Sequence, residues 1–436
     1  MDEHGFAFDS LSSITYLEQW IVNAALPEDT MTLRHCFKVR RLILTAALIA
    51  GLSLAAHATA QERPFLVDLK SRTITDLGTL GGSRTVASDI NDAGQIAGYS
   101  ITSEFDWHAF VTGPGGKGMR DLGTLGGGYS QAYGINDAGQ IVGQSDKFRG
   151  GPLHAFITDS HGRGMRELVT SGGAGVYPSS INNAGQVGGW LYPTTGNPNP
   201  HAFITGPSGV DMRDLGDFGT GGYVGVSGIN DAGQLVGDVR GAAEGDYGYI
   251  TDPDGIGMRN LGYLPGGGYA RAHAINDAGQ VAGVSATADG VQHAFITGTY
   301  GNGMRDLGTL RGSAAGSGID YGIATGVNDA GQVVGSSATS NRAEANGDPH
   351  AFITGPDGMG MTDLNSLIDL PQGWILTSAI DINNNGQVIA AGIVPEPETY
   401  ALMLAGLGLV GFIARRKQRK MRHESGLPLT VVDSIT

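Results

Sequence analysis

Five histidines recur in one context, His-Ala-Phe at 108–110, 154–156, 201–203, 293–295 and 350–352. Repeated histidines invite a metal reading, but the pattern opposes it. Each sits at the same place in a different copy of a repeat, so in a ring they would spread around the axis. A zinc site needs three or four ligands converging at about 2 Å. One further copy carries Tyr247 where the others have His. The expected role is therefore a hydrogen bond within or between copies, with no metal. Asn-Asp-Ala-Gly turns raise the same question for calcium, which takes about six to eight oxygens. Each turn offers one Asn and one Asp, and Asn183 and Asn384 replace the acid in two copies. The turn reads as structural, calcium is the lesser alternative, and no cofactor is expected.

Catalytic motifs are absent from the sequence: no Gly-x-Ser-x-Gly, no His-Glu-x-x-His and no phosphate loop. A carboxylate pair for glycoside cleavage needs only to meet in space, so sequence alone leaves that chemistry open. Asp76, Asp121, Asp214 and Asp306 recur as part of the repeat, whereas a catalytic residue should break it. By the same criterion attention falls on the connectors between units, which vary between copies and are expected after the fourth strand of each, along one face or rim of the ring: 99–107, 144–153, 190–200, 238–246, 284–292 and 336–349. The first three hold Tyr99, Phe105, Trp107, Phe148, Trp190 and Tyr192. Trp107, Phe148, Trp190 and Tyr192 are the candidate ligand-binding residues, since exposed rings stack on sugar or peptide faces. The alternative is that they only cover the edges of the fold.

The elements that must position these residues follow from self-similarity over 65–393. The Asn of Ile-Asn-Asp-Ala-Gly-Gln, or of a near variant, falls at 91, 136, 182, 230, 276, 328 and 383. A Phe-Ile-Thr-like strand and a Met-Arg-Asp-Leu-Gly segment recur at matching intervals, so the count is seven. In one copy, 108–112 alternates and is rich in aromatic and β-branched residues, which predicts a strand. Pro114-Gly115-Gly116 predicts a turn, 119–125 and 131–135 two more strands, Asn136-Asp137-Ala138-Gly139 a tight hairpin and 140–143 a fourth strand. The recurring Phe rings and Met119, Met165, Met212, Met258, Met304 and Met361 read as core. Four short strands in about 46 residues is the size of a propeller blade. The predicted fold is an all-β, seven-bladed β-propeller, with an open β-solenoid as the alternative. The weaker Asn383-Asn384-Asn385 motif reads as drift. The His-Ala-Phe, Asp-Leu-Gly-Thr-Leu-Gly-Gly and Asn-Asp-Ala-Gly-Gln signatures resemble the HAF family of extracellular repeats. That resemblance implies export and repeated β architecture, and carries no catalytic motif.

The two ends read as addresses. Arg34, Lys38, Arg40 and Arg41 precede an apolar run over 42–56 and the small-residue site Ala58-Thr59-Ala60, the layout of a secretory signal peptide for Sec export. The run is shorter than the roughly 20 residues that span a bilayer. Met31 stands where such a signal begins, so 1–30 reads as an over-long start and 31–60 as the signal helix. At the other end Pro395-Glu396-Pro397 leads into an apolar run over 401–414 and then Arg415-Arg416-Lys417. This closely resembles the PEP-CTERM sorting signal, taken as 394–417. The resemblance implies a short transmembrane helix that holds the protein transiently in the inner membrane, and cleavage by an exosortase near the Pro-Glu-Pro. The charge placement agrees with the positive-inside rule. A basic, disordered tail at 418–436 departs from the usual pattern.

Composition narrows the partners. The ends carry ten of the 27 Lys/Arg and ten of the 42 Asp/Glu, leaving 17 and 32 between 61 and 394. An acidic body repels phosphate backbones, so nucleic acid is not expected. The only cysteine is Cys36, which excludes an internal disulfide. The reading is a surface or biofilm-matrix protein of a Gram-negative bacterium, binding an exopolysaccharide or cell-surface glycan without catalysis. A carbohydrate-active hydrolase with its site in the ring's channel and a purely structural matrix protein are the alternatives.

Overall fold

The computed structural model describes residues 61–394, apart from 169–172, 197, 244, 312–319 and 340–348, together with 406, 408, 411 and 415. Every blade is a four-stranded antiparallel sheet, and there are seven. Blade 1 shows the order from the axis outwards: Gly81–Ile90, Ile96–Thr102, Trp107–Val111 and Arg120–Gly123. The innermost strand is thus the one that leads into the Asn-Asp turn, and the Phe-bearing strand is third. The inner strands of blades 2 to 6 are Ser130–Ile135, Gly173–Ile181, Tyr223–Ile229, Ala270–Ile275 and Gly322–Val327. Among the described residues of the ring, helical structure is confined to single 3-10 turns such as Pro114–Gly116.

Blade 7 is built from both ends of the ring. Its inner pair, Ile375–Ile382 and Gln387–Val394, comes from the end of the repeat region, and its outer pair, Gln61–Asp68 and Thr73–Asp76, from the beginning. The strands Gln61–Asp68 and Gln387–Val394 pair along their full length, from Gln61 opposite Val394 to Asp68 opposite Gln387. This closes the propeller and excludes the open solenoid.

The Asn-Asp turn explains how the closure is locked. In blade 2, Asn136 Oδ1 accepts from the Gln140 amide (2.9 Å), while its Nδ2 donates to Gln140 Oε1 (2.9 Å) and to the Asn182 carbonyl of the next blade (3.0 Å). Every blade repeats the link, and Asn383 returns it to Asn91 at 3.0 Å. A second circuit runs beside it: the Asp92 amide donates to Asp137 Oδ1 (2.8 Å), and so on until the Asn384 amide donates to Asp92 Oδ1 (2.8 Å). Asn is required because one amide must accept and donate at once.

Between blades the apolar layers pack as the repeat predicts. Phe65, Phe110, Phe156, Phe203, Tyr249, Phe295 and Phe352 are fully buried, one per blade, each worth roughly 1.5–3 kcal/mol relative to exposure. The recurring methionines, such as Met212 and Met304, pack against these clusters from the partly buried side. Small residues on the inner strands allow close approach. A Cβ on Gly134 would stand 3.2 Å from the Ser180 backbone of blade 3. On the outer strands, Arg120 Nη2 donates to the His161 carbonyl (2.9 Å) and Arg166 Nη2 to that of Ser208 (2.7 Å), stapling neighbouring blades.

The predicted signal helix, with Ala58 and Ala60, lies outside the described residues, as do Pro395, Glu396, Pro397, Arg416, Lys417 and the tail 418–436. Arg415 is an exposed helical residue. Among the described residues no helix is long and apolar enough to cross a membrane.

Candidate functional site

The five repeated histidines are each tied to a carboxylate 13 residues further on, in the outer strand of the same blade. The Nδ1 contacts are 2.8 Å for His108–Asp121, 2.7 Å for His154–Glu167, 3.0 Å for His201–Asp214, 2.9 Å for His293–Asp306 and 2.6 Å for His350–Asp363. Blade 7 keeps the arrangement with Arg63 and Asp76 at 3.2 Å. In blade 4 both partners change together, to Tyr247 and Asn260. These are bonds within blades. Among the described residues no group of three or more His, Cys, Asp or Glu is placed to hold a metal ion.

One mouth of the central channel is ringed by the Asn-Asp turns. Asn183 and Asn384 are there for a physical reason, which corrects the reading of the latter's motif as drift. Asn183 Nδ2 donates to Asp137 Oδ2 (3.0 Å) and Asp231 Oδ2 (3.2 Å), and Asn384 Nδ2 to Asp92 (3.1 Å) and Asp329 (2.8 Å). Each amide separates carboxylates that would otherwise be adjacent. Asp277, between Asp231 and Asp329, has no such neighbour. Burial, then those two charges, hold its carboxyl above the usual range.

Above the turns lies a channel cavity of about 280 Å³, lined in part by Ser88, Tyr133, Ser179, Ser227, His273 and Thr325. These occupy equivalent positions in six blades, Ser in three of them but Tyr, His and Thr in the others, so the channel wall departs from the repeat there. His273 Nδ1 donates to the Ala324 carbonyl of the next blade (2.7 Å), and burial lowers its pKa. The next position along the strand is Gly134, Gly228 or Gly326 in three blades but Asp89 in blade 1 and Asp381 in blade 7. Those two carboxyls hydrogen-bond each other across the closing seam. Asp89 also accepts from the Ile90 amide and, across to blade 2, from the Ile135 amide, both at 2.8 Å. Burial raises both pKa values, Asp381 the more strongly, so the pair retains a proton. A Cβ on Gly326 would stand 2.6 Å from Asp381 Oδ1, so that glycine makes room for the acid.

A third departure from the repeat concerns one cross-strand pair per blade, between the inner and second strands. In chain order these pairs are Val86–Tyr99, Gln131–Gln144, Tyr177–Trp190, Gly225–Asp238, Arg271–Val284, Ile323–Ser336 and Ser378–Ala391. Blades 1 to 5 carry the aromatic, amide and charged members. Tyr177 and Trp190 stack at 3.9 Å and 7°. Tyr192 meets Trp190 edge-on at 5.6 Å, and Tyr223 of blade 4 is 5.9 Å from it. The Arg240 guanidinium lies over Tyr223 at 5.2 Å. In blade 1, Tyr99 and Trp107 meet edge-on at 5.4 Å. By strand direction these rings stand towards the mouth opposite the Asn-Asp turns.

The variable segments are thereby relocated. They join the second and third strands inside each blade, not one unit to the next, and part of each is strand. Trp107 heads the third strand of blade 1, and Trp190 and Tyr192 lie on the Val187–Pro193 strand of blade 3. One face of Trp190 is already taken by Tyr177, so of the four candidate residues the freer rings are Tyr192 (40% exposed) and Phe148 (62%). Residues 340–348 of the last segment lie outside the described residues. Sequence reasoning passed over Tyr133, Tyr177, His273, Asp89 and Asp381. Aligning the seven copies position by position would have marked them as the ones that differ.

The PEP-CTERM protein-sorting motif matches residues 394–419. This chain is an exported, surface-sorted protein. Its sorting motif implies recognition by exosortase-type machinery and begins at Val394, the last residue of the blade 7 strand. No curated protein matches the chain in sequence. Among solved structures it is similar to TolB from Acinetobacter baumannii, at 13% identity over 68% of this chain and 63% of that one (TM-score 0.41). This chain thus spans less than two thirds of that TolB. It is also similar to the β-propeller domain of the Trilobed protease from Pyrococcus furiosus, at 10% over 71% and 92% (TM-score 0.45). A third likeness is to an oligogalacturonate lyase from Vibrio parahaemolyticus, at 10% over 78% and 98% (TM-score 0.42).

Proposed function

We propose that the surface-sorted ring is a non-catalytic glycan-binding module, with an exopolysaccharide or cell-surface glycan as its partner. The observation that carries this reading is the ring cluster Tyr177, Trp190, Tyr192 and Tyr223 at one channel mouth. It breaks the repeat, and aromatic faces are the surfaces on which sugars stack. Trp107 beside Tyr99, and Phe148, extend the aromatic character to blades 1 and 2. The scaffold suits the task, because a rigid ring presents side chains whose positions are fixed by packing.

A second reading, a hydrolase working in the channel, is favoured by one observation: the non-repeated Asp89 and Asp381 carboxyls, hydrogen-bonded to each other. Against it, Asp89 already accepts two backbone amides, which ties it to holding the seam. Residues 61–394 contain both hydrogen-bond circuits and all of blade 7, so this fragment forms the complete ring. Incubating it with the producing cell's extracellular polysaccharide separates the two. Retention on the polysaccharide, reduced about tenfold by Tyr192→Ala together with Trp107→Ala, is the expected result. Release of oligosaccharides, abolished by Asp381→Asn, would replace the binding reading with the enzymatic one.

A further inference from the structure

The aromatic cluster continues into a cationic one, and the join has an unmet donor. Blade 4 carries Tyr223, Asp238 and Arg240, and blade 5 carries Tyr269 and Arg271. Arg240 lies over Tyr223 and pairs with Asp238. Arg271 lies 5.1 Å over Tyr269, and its Nε comes only to 3.8 Å from Asp238, beyond hydrogen-bonding reach. That Nε is buried without a hydrogen-bond partner. Asp238 is nearly buried, whereas about a third of the Arg271 side chain and almost half of Arg240 face solvent. The other nearby carboxylate, Asp246, accepts from the Gly241 amide. Two guanidiniums thus share one close carboxylate, in a body whose charge is otherwise strongly negative.

A buried, unpaired donor on a cation is costly unless an acceptor reaches it. A carboxylate suits a guanidinium best, because two parallel N–H donors meet two oxygens. From Tyr223, which lies under Arg240, the aromatic row continues to Trp190 at 5.9 Å and on to Tyr192 at 5.6 Å. We infer that this strip across blades 3 to 5 selects an acidic glycan, with a uronate carboxylate engaged by Arg271 and Arg240 and the adjacent sugar rings laid along Tyr223 and Tyr192. The inference rests on the glycan-binding reading and narrows it to a substrate class.

The test uses the 61–394 ring and calorimetric titration with three probes: a uronate hexasaccharide, a neutral glucose hexasaccharide and a glutamate hexapeptide. The expected result is binding of the uronate alone, weakened at least about tenfold by Arg271→Gln, as loss of a charged hydrogen bond predicts. Arg271→Lys should recover part of the affinity, and unchanged thermal unfolding of both variants would place the effect on the ligand. Equal binding of the neutral hexasaccharide, or wild-type uronate affinity in Arg271→Gln, overturns the acidic-glycan inference while leaving glycan binding standing. Equal binding of the hexapeptide overturns it in favour of an acidic protein partner. Binding of none of the three overturns the inference and the reading beneath it.

Discussion

At the residue scale, the informative side chains are those that depart from the repeat. Asp381 shows why. Its carboxyl is held protonated by burial and by the Asp89 charge, with their mutual hydrogen bond acting in the same direction. A carboxyl whose folded pKa lies above its unfolded value of about 3.9 stabilises fully below that value. The contribution is lost as pH rises through the folded pKa. The ring should therefore lose stability at the seam as pH rises above the ordinary carboxylate range, with about pH 5 and about pH 8 as the two conditions to compare. Asp381→Asn keeps a donor towards Asp89 and has no proton to lose. It should flatten that slope and gain about 1–2 kcal/mol at pH 8. Denaturant midpoints at the two pH values check this, and parallel slopes for wild type and variant would refute it. The His–carboxylate pairs work the other way for the acid: at His293–Asp306 the Asp306 pKa is lowered although burial opposes it. Its contribution is present above the unfolded pKa and fades only in acid, whereas His293, raised by its bond to Asp306, also loses its contribution as pH rises, so the seam is read from the difference between wild type and variant.

At the element scale, the hairpin at each Asn-Asp turn joins two neighbouring blades as well as two strands. Asn136→Ala would remove three hydrogen bonds at once, leave the Gln140 amide unmet and leave the Asn182 carbonyl with only the Gly185 amide. With about 1–3 kcal/mol for the buried amide left unsatisfied and about 0.5–1.5 kcal/mol for each other bond lost, a loss of about 2–4 kcal/mol is expected in urea unfolding. Asn136→Asp should cost nearly as much, because a carboxylate accepts from Gln140 but cannot donate to blade 3. A cost under about 0.5 kcal/mol for either variant, the range of an ordinary surface substitution, would mean that the circuit is dispensable. The sequence identified this turn and its chemistry. It could not show that the Asn side chain reaches beyond its own hairpin, because the partner lies one whole repeat away.

At the scale of the whole molecule, stability depends on joining the two ends of the chain. Ending the ring at 386 would delete the strand Gln387–Val394, which pairs on both sides, with Gln61–Asp68 and with Ile375–Ile382. The Asn side-chain circuit would also lose the support of Gln387 under Asn383. Wild-type 61–394 should unfold in one cooperative transition, and the truncated chain in a broad or multiphasic one, as for an open repeat array. Calorimetry distinguishes the two. A single sharp transition after truncation would show that closure is not what couples the blades.

What the sequence determined by itself is local and repeated: seven units, four strands in each, the Asn-Asp hairpins, the buried Phe layer, and the C-terminal sorting motif. Alternation, turn residues and a fixed period are legible because they act over a few residues and recur. Tertiary structure alone decided where a blade begins, that the ring closes, and which unlike residues meet. The reason is distance along the chain. The bond that returns the circuit from Asn383 to Asn91 spans 292 residues, and Asp89 meets Asp381 over a comparable interval. The Tyr192–Trp190–Tyr223–Arg271 strip likewise draws on three successive blades. A period read along the chain is the same for an open solenoid and a closed ring. Only the pairing of Gln61 with Val394 separates them.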